Sequence, residues 1–149
     1  MQDISGFGAV CTLIASKTFP IGIILTEFAD DTDAFDLPAL QIADVAMGLN
    51  GDLLKWSKAN PPKVVLGMIP GGVDDVLLGI LLEANRVGKG KFSARDVITL
   101  NFTYPDGRFI SFSPGVITDG IPGNAIASEG RLKSKPYSFA FENRTGVGV

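Results

Sequence analysis

"DVITLNFTYPDGRFISFSPGVITDG", residues 96–120, decides the fold class. Ile98, Leu100, Phe102 and Tyr104 alternate with Thr99, Asn101 and Thr103. A period of two gives a strand one apolar face and one polar face. Pro105-Asp106-Gly107 is a turn with a mechanism: proline presets φ, and glycine takes conformations closed to other residues. Phe109 and Phe112, with Ile110 as a further candidate, carry the chain back. The expectation is a β-hairpin lying over an apolar core.

Similar patterns extend in both directions. Residues 131–143 alternate Tyr137, Phe139 and Phe141 with Ser138, Ala140 and Glu142, which makes a strand with one aromatic face. Between them, 113–130 is rich in turn residues, with a short apolar run at Val116–Ile117. Upstream, 9–17 and 19–28 read as strands joined by a short link. Segment 40–48 reads as a strand with Leu40, Ile42 and Ala43 or Val45 facing inward, and 49–57 as its partner across Asn50-Gly51, a strong hairpin signal. Residues 63–70 form another strand, closed by Pro70-Gly71-Gly72. The reading is one domain over 1–149, mainly β. It is an antiparallel sandwich or barrel of about eight strands with one flanking α-helix at about 73–87. Segments 1–8 and 144–149 read as loose.

The helix, "VDDVLLGILLEANR" (73–86), is unusually apolar. Val73, Val76, Leu77, Ile80 and Leu81 form one stripe, which Ala84 and Val87 continue and Leu78 and Leu82 widen. A helix apolar over most of its circumference is buried on two sides. One side faces the sheet. The other faces either a second copy or the chain's own 113–130 loop. Asp74 and Asp75 fall in the first turn, where carboxylates complement the helix dipole, and Arg86 falls in the last.

Bulk properties narrow the function. The chain has 149 residues and a net charge of -3, which excludes a basic nucleic-acid binder. Histidine is absent, so the commonest general base and the usual zinc and triad chemistry are absent with it. Cys11, the single cysteine, lies in an apolar run and reads as a small core residue. No apolar run is long enough for a membrane helix. The start lacks the basic region of a signal peptide, so synthesis in a cytoplasm is expected. No enzyme activity, cofactor or metal is expected.

Two loops suggest contacts instead. Asp30, Asp31, Asp33 and Asp36 cluster without EF-hand spacing, bracketed by Phe28 and Phe35 and followed by Leu37. Aromatic side chains in an acidic loop are costly to leave wet, so the loop reads as a docking element anchored by Phe28, Phe35 and Leu37. The loop "GKGKFSAR" (88–95) supplies Lys89, Lys91 and Arg95 around Phe92. It is a solvated loop or the partner of an acidic loop on another copy, a head-to-tail contact that generates rings or filaments. The "PGGVDD" turn (70–75) is a poor phosphate site, since its own carboxylates occupy the positive helix end.

In their order these features resemble the tail tube proteins of long-tailed bacteriophages, above all contractile-tailed ones. The residues carrying the resemblance are the acidic Phe35-Asp36-Leu37-Pro38 loop and the strand–proline–helix unit with Asp74-Asp75. They continue with the Tyr104–Gly107 turn, the loop "GVITDGIPG" (115–123) and the terminal "GRLKSKPYSFAF" (130–141). The resemblance implies a sandwich or half-barrel with a flanking helix. Subunits would assemble as stacked hexameric rings inside a virion tail. Tail sheath and baseplate proteins would be partners, and DNA would pass through the lumen without specific binding or membrane contact. The expected interface comprises Phe28, Asp30, Asp31, Asp33, Phe35, Leu37, Val73, Leu77, Leu78, Leu82, Lys89 and Lys91. Alternatives are a secretion-system tube subunit, a terminator or baseplate protein, and a monomeric ligand-binding β-barrel.

Overall fold

The computed structural model describes residues 1–148. Nine strands and one helix follow in chain order among them: β1 (Val10–Ala15), β2 (Phe19–Leu25), β3 (Phe35–Asp36), β4 (Ala43–Met47), β5 (Leu53–Ser57), β6 (Lys63–Met68), α1 (Val73–Asn85), β7 (Ile98–Thr103), β8 (Phe109–Asp119) and β9 (Lys135–Val147). All strand pairings are antiparallel. Seven strands form one sheet in the order β2-β1-β7-β8-β9-β6-β3, and β4 and β5 form a separate pair.

The large sheet curls round on itself. Beyond the end of β2 the chain reaches β6: Ala29 N–H donates to the Gly67 carbonyl at 2.9 Å and Ile69 N–H to the Glu27 carbonyl at 3.1 Å. Phe28 forms a bridge with Met68 there. The two sides of the sheet therefore meet at Glu27–Ala29, giving a barrel-like arrangement that stays open along β2.

Alternation fills the interior. Cys11, Leu13 and Ala15 of β1 point inward, as do Ile98, Leu100 and Phe102 of β7 and Tyr137, Phe139 and Phe141 of β9. On β8 the inward residues are Ile110 and Phe112, paired opposite Phe102 and Leu100. Phe109, expected inside, is turned out, because the register pairs it with the exposed Thr103. Burial, helped by the nearby Asp74 charge, pushes the Cys11 thiol up to about 12, so it stays protonated.

Helix α1 is tied at both ends. Asp74 and Asp75 are buried rather than wet dipole partners. Asp74 accepts from the Thr26 and Glu27 backbone N–H groups at 2.8 and 2.9 Å. Asp75 accepts from Gly71 N–H at 3.0 Å and from the Tyr137 hydroxyl at 2.8 Å, and pairs with Lys135 Nζ at 3.2 Å. At the other end Asn85 donates to Asp96, which also accepts from the Lys17 and Thr18 backbones and the Thr18 hydroxyl. Burial alone would raise the Asp96 carboxyl, but these hydrogen bonds outweigh it and hold it below its ordinary range.

Four expectations are corrected. The helix ends at Asn85, so Arg86 caps it from outside rather than filling its last turn. Residues 144–147, expected to be loose, continue β9 alongside Phe109–Phe112. The residues 40–48 and 49–57 do pair, but Leu40, Ile42 and Val45 face water rather than the core. Leu78, expected at the assembly interface, is buried in the chain's own core beside Leu81, whereas Val73, Val76 and Ile80 are exposed. The two buried aspartates complete the inward face of the helix beside Leu78 and Leu81.

Candidate assembly surfaces

The β4–β5 hairpin carries apolar side chains that the chain does not cover. Asn50-Gly51 makes the turn, and Gly51 takes φ +89°, a conformation that costs glycine little. At its base Lys58 N–H donates to the Ile42 carbonyl at 2.9 Å and Asn60 to the Gln41 carbonyl at 2.8 Å. The register sets Met47 opposite Leu53 and Val45 opposite Lys55 on one face, and Ala46 opposite Leu54 and Asp44 opposite Trp56 on the other. Both faces thus carry apolar side chains, with Lys55 the charged residue of one and Asp44 of the other, and no residue of either strand is buried. Trp56 alone is 49% exposed. An isolated two-stranded hairpin is at best marginal in water, and exposed apolar patches of this kind mark interaction surfaces.

A second surface is the outer stripe of α1. Val73, Val76 and Ile80 follow one another on the side away from the barrel. Leu82, by contrast, lies against the 113–130 segment: a Cβ added to Gly120 would stand 2.8 Å from a Leu82 methyl and 3.0 Å from the Tyr137 ring. The segment therefore covers the Leu82 flank and leaves the valine–isoleucine stripe open. Leu77 is partly buried.

The acidic loop divides into two parts. Asp30 pairs with Arg131 at 3.1 Å, and Asp31 lies 3.8 Å from the same guanidinium and accepts from the Ser134 hydroxyl. The Arg131 hydrogen bond, reinforced by its charge, lowers the Asp30 carboxyl below its ordinary value. These two aspartates are committed within the chain. Asp33 and Asp36 are exposed and have no ion-pair partner among the described residues. Phe28 and Phe35 are half-buried against the core: the Phe35 ring stacks on Phe102 at 3.9 Å and the Phe28 ring sits 6.0 Å from it. Leu37 is exposed.

The basic loop divides in the same way. Lys91 Nζ donates to the Arg86 carbonyl at 2.6 Å and to the Glu83 carbonyl, closing the helix C-terminus. Lys89, Arg95 and Phe92 are exposed.

Two strand edges also remain. One side of β2 has no partner along Phe19–Leu25, and Ile21 and Ile24 are exposed on that strand. The second half of β9, from Glu142 onward, pairs with β8 alone, because β6 starts opposite Ala140. Neither these edges nor the hairpin faces were singled out from sequence, although the signal for the hairpin was present. Residues 42–56 place apolar side chains at odd and even positions alike.

The family model described as tail fiber protein gp32 matches residues 2–145. The chain belongs to that family. Its barrel and helix are similar to chains in three solved assemblies. A chain of the PVC sheath/tube terminator, from an extracellular contractile injection system in its extended state, matches with TM-score 0.60 at 10% identity over 99% of this chain and 99% of that one. A chain of the anti-feeding prophage tube-terminating cap matches with TM-score 0.58 at 11% identity over 100% and 93%. A chain of the anti-feeding prophage baseplate matches with TM-score 0.59 at 7% identity over 100% and 98%. No curated protein matches the sequence. Identities this low establish the fold alone. Fold and family together make the chain a phage-tail-like protein.

Proposed function

We propose that the chain is a ring-forming structural subunit of the inner tail tube, non-enzymatic, stacking as hexamers around a bore through which DNA passes. The observation that carries the reading is the β4–β5 hairpin, whose two apolar faces no part of its own chain covers. An element built this way becomes stable by docking on a neighbour. The open edges of β2 and β9 support lateral growth, since an edge pairs readily with a strand of another copy. A heterologous contact repeated around an axis closes into a ring. The outer face of β7 and β8 supports the bore: Thr99, Asn101, Ser111 and Ser113 lie on it, uncharged and hydrophilic. Such a wall, on a subunit of net charge -3, gives DNA no cationic foothold.

Negative-stain microscopy of concentrated protein tests this. Rings that stack into hollow tubes are expected, and Trp56→Ser is expected to abolish them while the subunit stays folded. A wild-type protein that remains monomeric at high concentration refutes the reading. The likeness to a sheath/tube terminator favours a second reading, a single capping ring. Rings that never stack, even at high concentration, would establish it instead.

A further inference from the structure

The two poles of the barrel carry complementary surfaces. At one pole, Phe28, Phe35, Phe102 and Tyr104 line a cleft of about 410 Å³, and Asp33 and Asp36 stand at its rim. Its rings are in mutual contact, with Phe102 and Tyr104 edge-to-face at 5.0 Å. At the other pole, Phe92 is 90% exposed, and Lys89 and Arg95 flank it in the same loop. Arg95 is held in the left-handed region at φ 52°. The loop is fastened to the helix C-terminus by Lys91 and by Ala94 N–H, which donates to the Ala84 carbonyl at 2.9 Å.

Two independent spans place these surfaces at opposite ends. The cleft adjoins the helix N-terminus, where Asp74 holds the backbone just before Phe28. The basic loop leaves the helix C-terminus, 13 residues on, a length of roughly 20 Å at 1.5 Å per residue. The strands agree: Val10 and Thr103 pair at the cleft end, and Ala15 and Ile98 pair at the loop end.

We propose that Phe92 of one copy enters the aromatic cleft of a second copy, with Lys89 and Arg95 meeting Asp33 and Asp36, so that copies join end to end. The occupant is a second copy because the apolar plug and both charge partners of the cleft occur together in one loop of this chain. The remaining charges of the two loops are already spent, Asp30 and Asp31 on Arg131 and Ser134, and Lys91 on the helix end. A side-by-side contact is excluded by the polar placement, and a contact joining opposite poles repeats without closing. This contact rests on the tube reading and specifies how one ring is held on the next.

The test is a cysteine pair, Ala34→Cys in the cleft wall with Ser93→Cys beside the plug, which leaves Phe92, Lys89 and Arg95 in place. The two sites lie too far apart in one chain for an internal disulfide, and the native Cys11 is buried and protonated. Mild oxidation of assembled double variant is expected to give a ladder of covalent multimers on a non-reducing gel, extending beyond one ring. Each single variant should give dimers at most. Tubes seen by microscopy without a ladder overturn this contact and leave the tube reading standing. A ladder that stops at one ring overturns the end-to-end placement. A monomer without rings or tubes overturns both. A charge-reversal series guards against misfolding: D33K/D36K is expected to raise the concentration needed for tubes about tenfold or more. Adding K89D/R95D in the same chain should restore it. Failure of that rescue in a normally melting protein counts against the pairing.

Discussion

The barrel and the β4–β5 hairpin are made of the same antiparallel pairing and similar residues, yet they end in opposite states. In the barrel, Leu100, Phe112, Tyr137 and Phe139 are almost wholly removed from water. In the hairpin, Leu53, Leu54, Val45 and Trp56 remain in it. The barrel strands separate apolar from polar with a strict period, so one face can be sealed by curling the sheet. The hairpin carries apolar side chains on both faces, and nothing in this fold packs on either of them. One region is finished by the chain itself, and the other is left, on the proposed reading, to an assembly.

That contrast can be broken most strongly from the barrel. Phe139→Ala removes a core ring, and about 3–5 kcal/mol of stability is expected to go with it, read as a lower urea midpoint with the slope unchanged. Asp75→Ala should cost about 3–5 kcal/mol, because it leaves the Lys135 ammonium buried without its partner. Asp75→Ala paired with Lys135→Met should recover part of that loss. Asp96→Ala is expected to cost about 1–3 kcal/mol by orphaning the Lys17 and Thr18 donors.

The same Asp96 sharpens the comparison through pH. Its carboxyl is lowered from the ordinary value of 3.8 in the folded chain, so the folded state binds that proton less readily than the unfolded state. Its contribution is complete above 3.8 and disappears as pH falls through the lower folded value. Urea titrations at descending pH should show a steeper loss in wild type than in Asp96→Asn, and parallel curves would contradict the assignment. The smallest effect on the subunit belongs to the hairpin. Trp56→Ser should move the urea midpoint by no more than about 0.5 kcal/mol and still eliminate assembly. A large loss of subunit stability would show that the hairpin packs on its own barrel.

The legible parts of the fold were those where local spacing and tertiary position agree. Ile98, Leu100 and Phe102, and Tyr137, Phe139 and Phe141, declared their face by alternation, and Asn50-Gly51 declared its turn. Spacing does not report whether a strand pair continues into a larger sheet, so β4 and β5 were given a core they do not have. The helix misled for a related reason. Apolar width implied two covered sides without telling which residues face the barrel, and the inward face includes Leu78 and two aspartates. The burial of the aspartates depends on Thr26, Glu27, Lys135 and Tyr137, partners tens of residues away that only the curled barrel brings near. The acidic and basic loops were found, but not which charges were already occupied.

The hairpin also bears on timing. Its apolar surface is on display from the moment a subunit folds, since nothing in the described chain shields it. On the proposed tube reading, no unmasking step stands between folding and polymerisation. A tube subunit with such a surface would be governed by its threshold: below a critical concentration copies would stay dispersed, and a preformed platform would decide where growth begins. The length of such a tube would then be a matter for whatever stops it, because the adhesive is always on.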